Sequence, residues 1–496
     1  MERTLPASPA TPARDVLPED RLLWQFWVNK GLKPEPLAAR LDALGSGANW
    51  DYVAGNALYG GFEADLLRLL RSAPARIAST MPPRFLDRLA QESAGWGRPV
   101  NPFTGEGRLL VLCSGSRMTP DEETTVRTLS SGGLHWPSLL AAASRANIVP
   151  AVAHHLNRLG LISAIPEPEA AALAARAAGI AGRNRRVLAL LDEVVADLLK
   201  AGIRSILLKE SALALSHFDG GALRMMGDVD ILVDEPDLVR AERILQDRGY
   251  QHAEVLWTRA HYRRHHHHVA PLVDPEAAAK IEPHRTIALP VPEVPGLIDE
   301  LRKSAIRIRE GVHAFAPADC LFHLTMDLFG SAFLGKMGQL CDAREVVRKG
   351  GIDWRTYVET VTTIRAESHA AFSLTLLSDV GAAIPEEIRE RLARARRKWP
   401  FDRQRLRRMA HRNLFGYDPS TAVMSRPATK LVFKALIQPG NTLSRSLWLI
   451  KGYLYVGQSD LDMGELAVRP SKGQALWRLA GSPFRLLGRI LGGGRR

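Results

Sequence analysis

The chain has 496 residues, of which 46% are hydrophobic and 24% are charged, and its net charge is +13. This composition excludes a disordered chain, and the length allows more than one hydrophobic core. No segment approaches the roughly 18 uninterrupted apolar residues that a membrane span needs. Residues 1–18 lack the apolar segment of a secretory signal and are predicted to form a flexible tail. The excess of positive charge suits nucleic acid, nucleotides or an anionic lipid surface, and does not choose among them.

The three cysteines, Cys113, Cys320 and Cys341, are far apart and do not have the spacing of a metal-binding motif. Such a pattern argues against both a disulfide framework and a zinc ribbon, and it favours a reducing cytoplasm.

Helical spacing predicts a first helical region over residues 19–93, which ends at the Gly- and Pro-rich segment SAGWGRPVNPFTGEG. A second helical region is predicted over residues 107–200. Thr119 followed by Glu122 is typical of a capping box at a helix start, whereas RLLVLCSGS fits either a short strand or the first turn of a helix. Gly202 ends the long helix that closes this region.

The hydrophobic period changes in residues 201–292. Here RSILLKE and DVDILVD are typical of strands around a short helix, SALALSHF, and EPDLVRAERILQDRGY predicts a further helix. Two extended segments follow, HHHHVAPLV and AAKIEPHRTIAL. Beyond Pro295 the chain is predicted to be helical almost to its end, with a helical domain over residues 296–420. The sequence therefore predicts an α+β fold, in which a small mixed β-sheet core is embedded in a mostly helical protein.

Asp228 and Asp230 occupy alternate positions at an otherwise apolar strand. Side chains two positions apart on a strand point to the same face, about 6.6 Å apart along the strand. Carboxylates in such a position either lie at a solvated strand end, paired with Arg224 or Lys209, or hold a cation. Oxygen ligands of this kind suit Mg²⁺ or Mn²⁺. Glu282, in KIEPHR on the last extended segment, is the candidate third carboxylate of a two-metal site.

The ordered segment ILLKESALALSHFDGGALRMMGDVDILV resembles a poorly characterised bacterial nucleotidyltransferase-like family of the polymerase-β superfamily. Members have Lys-Gly, a short helix, an Arg and then Asp-hydrophobic-Asp, which correspond here to Lys209, Arg224, Asp228 and Asp230. KIEPHR is similar to the family's acidic-x-His segment, and the resemblance extends over about residues 107–380.

The resemblance implies a Mg²⁺- or Mn²⁺-dependent enzyme that transfers a nucleoside monophosphate from a nucleoside triphosphate to an acceptor and releases pyrophosphate. It implies that Asp228, Asp230 and Glu282 are the catalytic and metal-binding residues. Nucleotide contacts are implied for Lys209, Ser211, Arg224 and His284, and His284 either lines the pocket as a proton carrier or packs near the strand end. The acceptor would be glycan-linked, a peptide, a protein or RNA, in surface-polysaccharide or modified-peptide biosynthesis. The oligomeric state stays open.

Glu210 departs from the family, whose members have Gly after the lysine. A small residue there lets backbone N–H groups approach the triphosphate, whereas Glu210 adds bulk and negative charge. The alternative function is therefore a catalytically degenerate accessory protein that binds a nucleotide, RNA or a membrane surface.

Several other polar segments have two interpretations each. The tract YRRHHHHVAP is either a transition-metal tract or a surface strand, on which at most two histidines would converge. His323, Asp327 and Asp342 either reach the pocket or have buried structural roles. The basic run at residues 389–412, which contains Trp399, is either a nucleic-acid contact or a solvated helix face.

The basic amphipathic region at residues 421–496 also has two interpretations. Apolar side chains among arginines are the composition of a helix that lies on an anionic membrane, and they fit equally a helix that docks on the protein body. The first interpretation predicts a cytoplasmic protein that is peripheral to the inner membrane.

Overall fold

The structure is a computed structural model, and it describes most of the chain between residues 48 and 415. The described ranges are 48–253, 266–395 and 403–415, apart from gaps at 61–62, 74, 83, 94–99, 275–278, 292–293 and 331, together with a few single positions elsewhere. The predicted tail at residues 1–18 and Trp399 lie outside the described residues, as does nearly all of the predicted amphipathic region at residues 421–496.

The part of the chain before the sheet is helical. Its described helices include α1 (Trp50–Gly60), α2 (Glu63–Arg71), α3 (Ala75–Ala78), α4 (Phe85–Ser93), α5 (Gly105–Cys113), α6 (Pro120–Ser130), α7 (Trp136–Arg145), α8 (Val149–Arg158) and α9 (Glu167–Lys200). The segment RLLVLCSGS is therefore helical. The predicted capping box is present at α6, where the Glu122 carboxylate accepts a hydrogen bond from Thr119 N and Thr119 Oγ1 accepts one from Glu122 N.

Helix α9 has 34 residues and connects two hydrophobic cores. Its first half packs against α1, α7 and α8. There Arg176 is fully buried and forms an ion pair of 2.8 Å with Glu92 at the end of α4. Its second half contributes Val187, Leu191 and Val194 to the core that lies against the sheet. Since an α-helix of this length spans about 50 Å, α9 connects the N-terminal helices to the sheet.

A mixed sheet of seven strands has the order β3-β4-β5-β2-β1-β7-β6. The strands are β1 (Ser205–Leu207), β2 (Val229–Leu232), β3 (Gln251–His252), β4 (Leu272–Val273), β5 (Lys280–His284), β6 (Ile306–Arg309) and β7 (Val312–Ala314). In the centre of the sheet, β2 is antiparallel to β1 and parallel to β5. The predicted α+β class, with a mixed sheet in a mostly helical protein, is confirmed.

The hairpin of β6 and β7 was not expected, and the prediction of helix directly beyond Pro295 is wrong at these residues. Strand β7 pairs in parallel with β1, so the hairpin extends the central sheet at its β1 side. Gly311 has a φ of 70° in the connection, a left-handed conformation that glycine adopts without steric cost. The two strands are too short for their alternation to stand out against the helices on either side.

Further helices cover the sheet and form the region after it. They are α10 (Lys209–Ser216), α11 (Leu238–Asp247), α12 (Leu297–Ser304), α13 (Pro317–Gly330), α14 (Met337–Lys349), α15 (Trp354–Thr363), α16 (Glu367–Asp379), α17 (Glu386–Ala395) and α18 (Arg403–Phe415). Helix α10 contacts β2, α13 and α14, so the helical region lies directly against one end of the central strands. Among the residues that the structure describes, no helix combines the length and the apolar content needed to cross a membrane.

Candidate functional site

The aspartates and Glu282 meet at the pair of parallel strands β2 and β5. Asp230 lies opposite Glu282 in the register of these strands. Val229 and Ile231, which flank Asp230, are buried in the core under the sheet. Asp230 and Glu282 are themselves 2% and 7% exposed, whereas Asp228, just before β2, has a side chain that is 29% exposed. A fully solvated strand end is therefore excluded for Asp230.

Two lysines hold the three carboxylates. Lys280 Nζ lies 2.9 Å from Asp228 Oδ2 and 2.7 Å from Glu282 Oε1. Lys209 Nζ lies 2.9 Å from Asp230 Oδ2. The structure thus brings Asp228, Asp230, Glu282 and Lys209 together, and it adds Lys280, which the sequence analysis did not single out.

Two histidines approach the same carboxylates from β5 and from the segment beside it. His284 Nε2 lies 3.1 Å from Asp230 Oδ1, and His268 Nε2 lies 3.4 Å from Glu282 Oε2. Burial opposes the ionisation of Asp230, but the charges of Lys209 and His284 outweigh it and hold the pKa of Asp230 well below its usual range. Burial likewise opposes the ionisation of Glu282, yet Lys280 and His268 lower the pKa of Glu282 to about 2.

The prediction of a surface strand for the histidine tract, on which at most two histidines converge, is wrong. Residues 266–267 form a bend, and His268 is buried and forms a β-bridge with His284. Because a bend does not alternate side chains between two faces, ligand atoms of His266, His267 and His268 lie within 4.8 Å of one another. The ring centroids of His267 and His284 are 5.2 Å apart, so the tract adjoins the carboxylates.

The turn from β1 into α10 positions Lys209. Its φ is 47°, in the left-handed region that non-glycine residues rarely adopt. The peptide before it is tied to β2, because Leu208 N donates a hydrogen bond to Asp230 O. Ser211 is buried, and its hydroxyl donates to the Leu208 carbonyl at 2.8 Å. The observed contact of Ser211 is therefore within its own helix, whereas Lys209 extends to the carboxylates.

Arg224 is buried between α14 and the first turn of α10. Its guanidinium donates two hydrogen bonds of 2.9 Å to Asp342, and its Nη2 lies 3.3 Å from Glu210 Oε1. Arg224 thus contacts Asp342 and Glu210. Gly338 allows α14 to lie close to Ala146 and Arg224. A Cβ at this position would lie 2.0 Å from Ala146 O and 3.1 Å from Arg224 Nη2.

Glu210 lies close enough to the carboxylates to be affected by their charge. Burial raises the pKa of Glu210, Arg224 opposes this rise, and Asp228 adds to it. Glu210 therefore places an acidic group beside the site, with Arg224 as its cationic partner.

Residues of the following helical region also act on Lys209. Asp327 Oδ2 lies 3.2 Å from Lys336 Nζ, and burial of Asp327 is outweighed by Lys336 and Lys209, which lower its pKa. Burial and the charge of Lys209 lower the pKa of His323 to about 3. Asp327 and His323 thus adjoin the site, whereas Asp342 is the buried partner of Arg224.

Lys280 and His268 are the residues at this site that sequence reasoning missed. Lys280 and Glu282 are two positions apart on β5, so their side chains point to the same face of the sheet. The order of residues in KIEPHR therefore contained a signal that Lys280 lies beside Glu282. Nothing in the sequence indicated which residue of the histidine tract would reach Glu282.

Comparison with known protein families identifies the class. A family model described as uncharacterised nucleotidyltransferase matches residues 132–382, which is just over half of the chain. The protein therefore belongs to this nucleotidyltransferase family, as the sequence resemblance predicted, and the match supports nucleotidyl transfer as its general function. Neither a curated protein nor a solved structure matches the chain.

Proposed function

We propose that this protein is a nucleotidyltransferase that uses divalent metal ions to transfer a nucleoside monophosphate from a nucleoside triphosphate to an acceptor. The observation that carries the proposal is the register of β2 and β5, which sets Asp230 opposite Glu282 within the family region. Lys280 Nζ lies between Asp228 and Glu282 and contacts both carboxylates, which brings Asp228 to the same place. Three acidic side chains at one point are the ligand chemistry that this reaction uses.

The donor set fits a hard divalent cation. Asp228, Asp230 and Glu282 would hold Mg²⁺ or Mn²⁺, which neutralises charge on the phosphates during transfer. Lys209 and Lys280 already lie within 3 Å of these carboxylates, so this site stabilises positive charge. The low pKa of Glu282, about 2, favours a role in holding a cation over a role in taking up a proton.

The side chains of this chain then have distinct roles in the transfer. Lys209, whose side chain is 19% exposed, is available to a triphosphate from its place beside Asp230. His284 holds the orientation of Asp230, and Arg224 fixes the segment that leads into β2. A bond forms between the oxygen of an acceptor hydroxyl and the α-phosphorus, and the hydroxyl proton passes to solvent. The bond from the α-phosphorus to the bridging oxygen breaks, and pyrophosphate leaves.

The acceptor is proposed from the family resemblance: a glycan-linked group, a peptide, a protein or RNA, in surface-polysaccharide or modified-peptide biosynthesis. We place the reaction in the cytoplasm, because Cys113, Cys320 and Cys341 are free thiols, and we include peripheral contact of the basic C-terminal region with an anionic membrane or nucleic acid.

The test supplies the purified chain with Mg²⁺ or Mn²⁺, each nucleoside triphosphate labelled at the α-phosphate, and cell lysate as the source of acceptor. The Asp228→Asn/Asp230→Asn double variant, which lacks two of the three acidic charges, is expected to be inactive. Asp237→Asn is the matched control, because Asp237 forms only an exposed ion pair with Arg240 within a single helical turn. We expect label transfer by the wild type and by the control, and none by the double variant.

Digestion of the labelled product with nuclease, protease or glycosidase then identifies the class of acceptor. Absence of transfer with every nucleotide, in a lysate that supports a related enzyme, would contradict the proposal. It would favour the accessory binding protein, for which Glu210 beside the site is the supporting observation.

A further inference from the structure

Asp230 and Glu282 each use one carboxylate oxygen to bind a lysine and the other to contact a histidine. Asp230 Oδ2 and Glu282 Oε1 each bind a lysine, at 2.9 Å and 2.7 Å respectively. The other oxygens face imidazole nitrogens, with Asp230 Oδ1 at 3.1 Å from His284 Nε2 and Glu282 Oε2 at 3.4 Å from His268 Nε2. The site thus has a lysine side and a histidine side.

Backbone carbonyls determine which nitrogen of each ring carries hydrogen. His284 Nδ1 lies 3.3 Å from Thr286 O, and His268 Nδ1 lies 2.6 Å from Val269 O. Since a carbonyl oxygen only accepts hydrogen bonds, each Nδ1 is a donor, and Nε2 is the nitrogen that faces the carboxylate. Histidines that bind metals are oriented in this way, with Nδ1–H held by a carbonyl and Nε2 directed at the ion.

The Nε2 atoms of these rings face carboxylate oxygens. Ligand atoms of Asp230, Glu282 and His284 all lie within 4.8 Å of one another, and all three residues are buried. Lone pairs in such an arrangement repel unless a proton or a metal ion lies between them.

We propose that Asp230 Oδ1, Glu282 Oε2 and His284 Nε2 bind a divalent transition-metal ion in preference to Mg²⁺, and that His268 supports Glu282 in this site. Mg²⁺ prefers oxygen ligands, whereas imidazole nitrogen suits Fe²⁺, Ni²⁺, Cu²⁺ and Zn²⁺, and Mn²⁺ is the paramagnetic ion that reports on the ligands of the site. This inference rests on the proposed nucleotidyl transfer for the use of the ion, and it deepens that proposal by identifying the class of metal. The binding of the ion is measured independently of transfer.

The first experiment asks whether nitrogen is a ligand. The full chain is stripped of metal with a chelator and loaded with one equivalent of Mn²⁺ without nucleotide, and pulsed electron paramagnetic resonance measures coupling of the ion to ¹⁴N. We expect nitrogen coupling in the wild type and its loss in His284→Gln. The matched control is His252→Gln, because His252 is also a buried imidazole of the sheet that contacts a carboxylate, Glu242, at 2.8 Å. It should keep the coupling.

The second experiment compares affinities for Mn²⁺ alone and Mg²⁺ alone by titration calorimetry. We expect the ratio of Mn²⁺ to Mg²⁺ affinity to fall at least about tenfold in His284→Gln, because this variant keeps the carboxylates and loses the nitrogen. His268→Gln should weaken Mn²⁺ binding by about 10- to 100-fold, as expected for a residue that orients a ligand.

Absence of nitrogen coupling in the wild type would overturn the inference, whether or not the variants fold. An unchanged affinity ratio in a folded His284→Gln variant would also overturn it, and would identify the imidazoles as protonated partners of the carboxylates. The two proposals fail separately. Nitrogen coupling without label transfer contradicts only the proposed function, whereas transfer with Mg²⁺ but no nitrogen coupling contradicts only the metal inference.

Discussion

Asp230 and Glu282 lie opposite each other on the parallel strands β2 and β5, and each binds a lysine through one oxygen and faces a histidine with the other. This arrangement gives two buried acids four cationic or polar partners. Their charges are therefore compensated before any ligand binds, which is what buried carboxylates require. The same arrangement means that a metal ion must compete with the two lysines.

Removal of the Lys280 ammonium should strengthen the binding of divalent ions. Lys280→Met keeps the length of the side chain and removes a positive charge that lies within 3 Å of Asp228 and Glu282. We expect affinity for Mg²⁺ to rise at least about tenfold, because a like charge is removed from the binding site. Titration calorimetry without nucleotide measures the change. Lys303→Met, at an exposed pair with Glu300, is the control, and equal affinities in all three proteins would contradict the prediction.

Glu210 should weaken the binding of nucleoside triphosphates. Glu210→Gln preserves the size of the side chain and removes its charge, whereas Glu210→Gly removes the whole side chain. We expect about tenfold tighter triphosphate binding in Glu210→Gln, and at least as much in Glu210→Gly, because the charge lies close to Asp228 and the site. Equilibrium binding of labelled triphosphate tests this. Unchanged affinity in both variants would show that Arg224, 3.3 Å away, already neutralises Glu210.

The ion pair of Arg224 with Asp342 should be essential for stability. Both side chains are 2% exposed. Asp342→Asn removes the negative charge that lies beside the buried Arg224 guanidinium, so part of the guanidinium charge is no longer neutralised. We expect the free energy of unfolding to fall by about 3–5 kcal/mol, the usual cost of removing one partner of a buried pair. Chemical denaturation measures it. Asp237→Asn, at an exposed pair, should cost less than about 1 kcal/mol, and a similar loss in both variants would contradict the prediction.

The contact between α16 and α18 should depend on pH through Asp379. Its carboxylate binds Arg407 and lies 2.8 Å from His411 Nε2. Burial opposes its ionisation, but these partners outweigh burial and hold its pKa below the usual value of 3.8. Because the folded-state pKa is depressed, the stabilisation is present above the unfolded-state pKa and is lost as the pH falls through the folded-state pKa.

The corresponding measurement compares the wild type with Asp379→Asn by urea denaturation between pH 6 and pH 3. We expect the variant to be less stable by about 1–3 kcal/mol at pH 6 and the difference to shrink as the pH falls below about 4. A difference that stays constant over this range would contradict the assignment. Glu359→Gln, at an exposed pair with Arg355, should show no such dependence.

Local patterns were sufficient for the strand that follows Asp228 and carries Asp230, for the capping box at Thr119 and for the fold class. Each of these follows from residues within a few positions of one another, where the period of two or 3.6 determines which side chains share a face. The family was also predictable, because its motif residues occur in order within the segment from Lys209 to Asp230. The hairpin from Ile306 to Ala314 was missed, since its strands are too short for alternation to stand out.

Only the tertiary structure decided which residues meet. The contact of Asp230 with His284 joins positions 54 residues apart, and that of Arg224 with Asp342 joins positions 118 residues apart. Strand order and helix packing set such contacts, and no local period encodes them. For the same reason the histidine tract had an open interpretation until the bend at residues 266–267 placed His268 beside Glu282. The sequence by itself determined the acidic residues, and the pairing of β2 with β5 determined their partners, because charge compensation in a buried site depends on distances that only the packed chain defines.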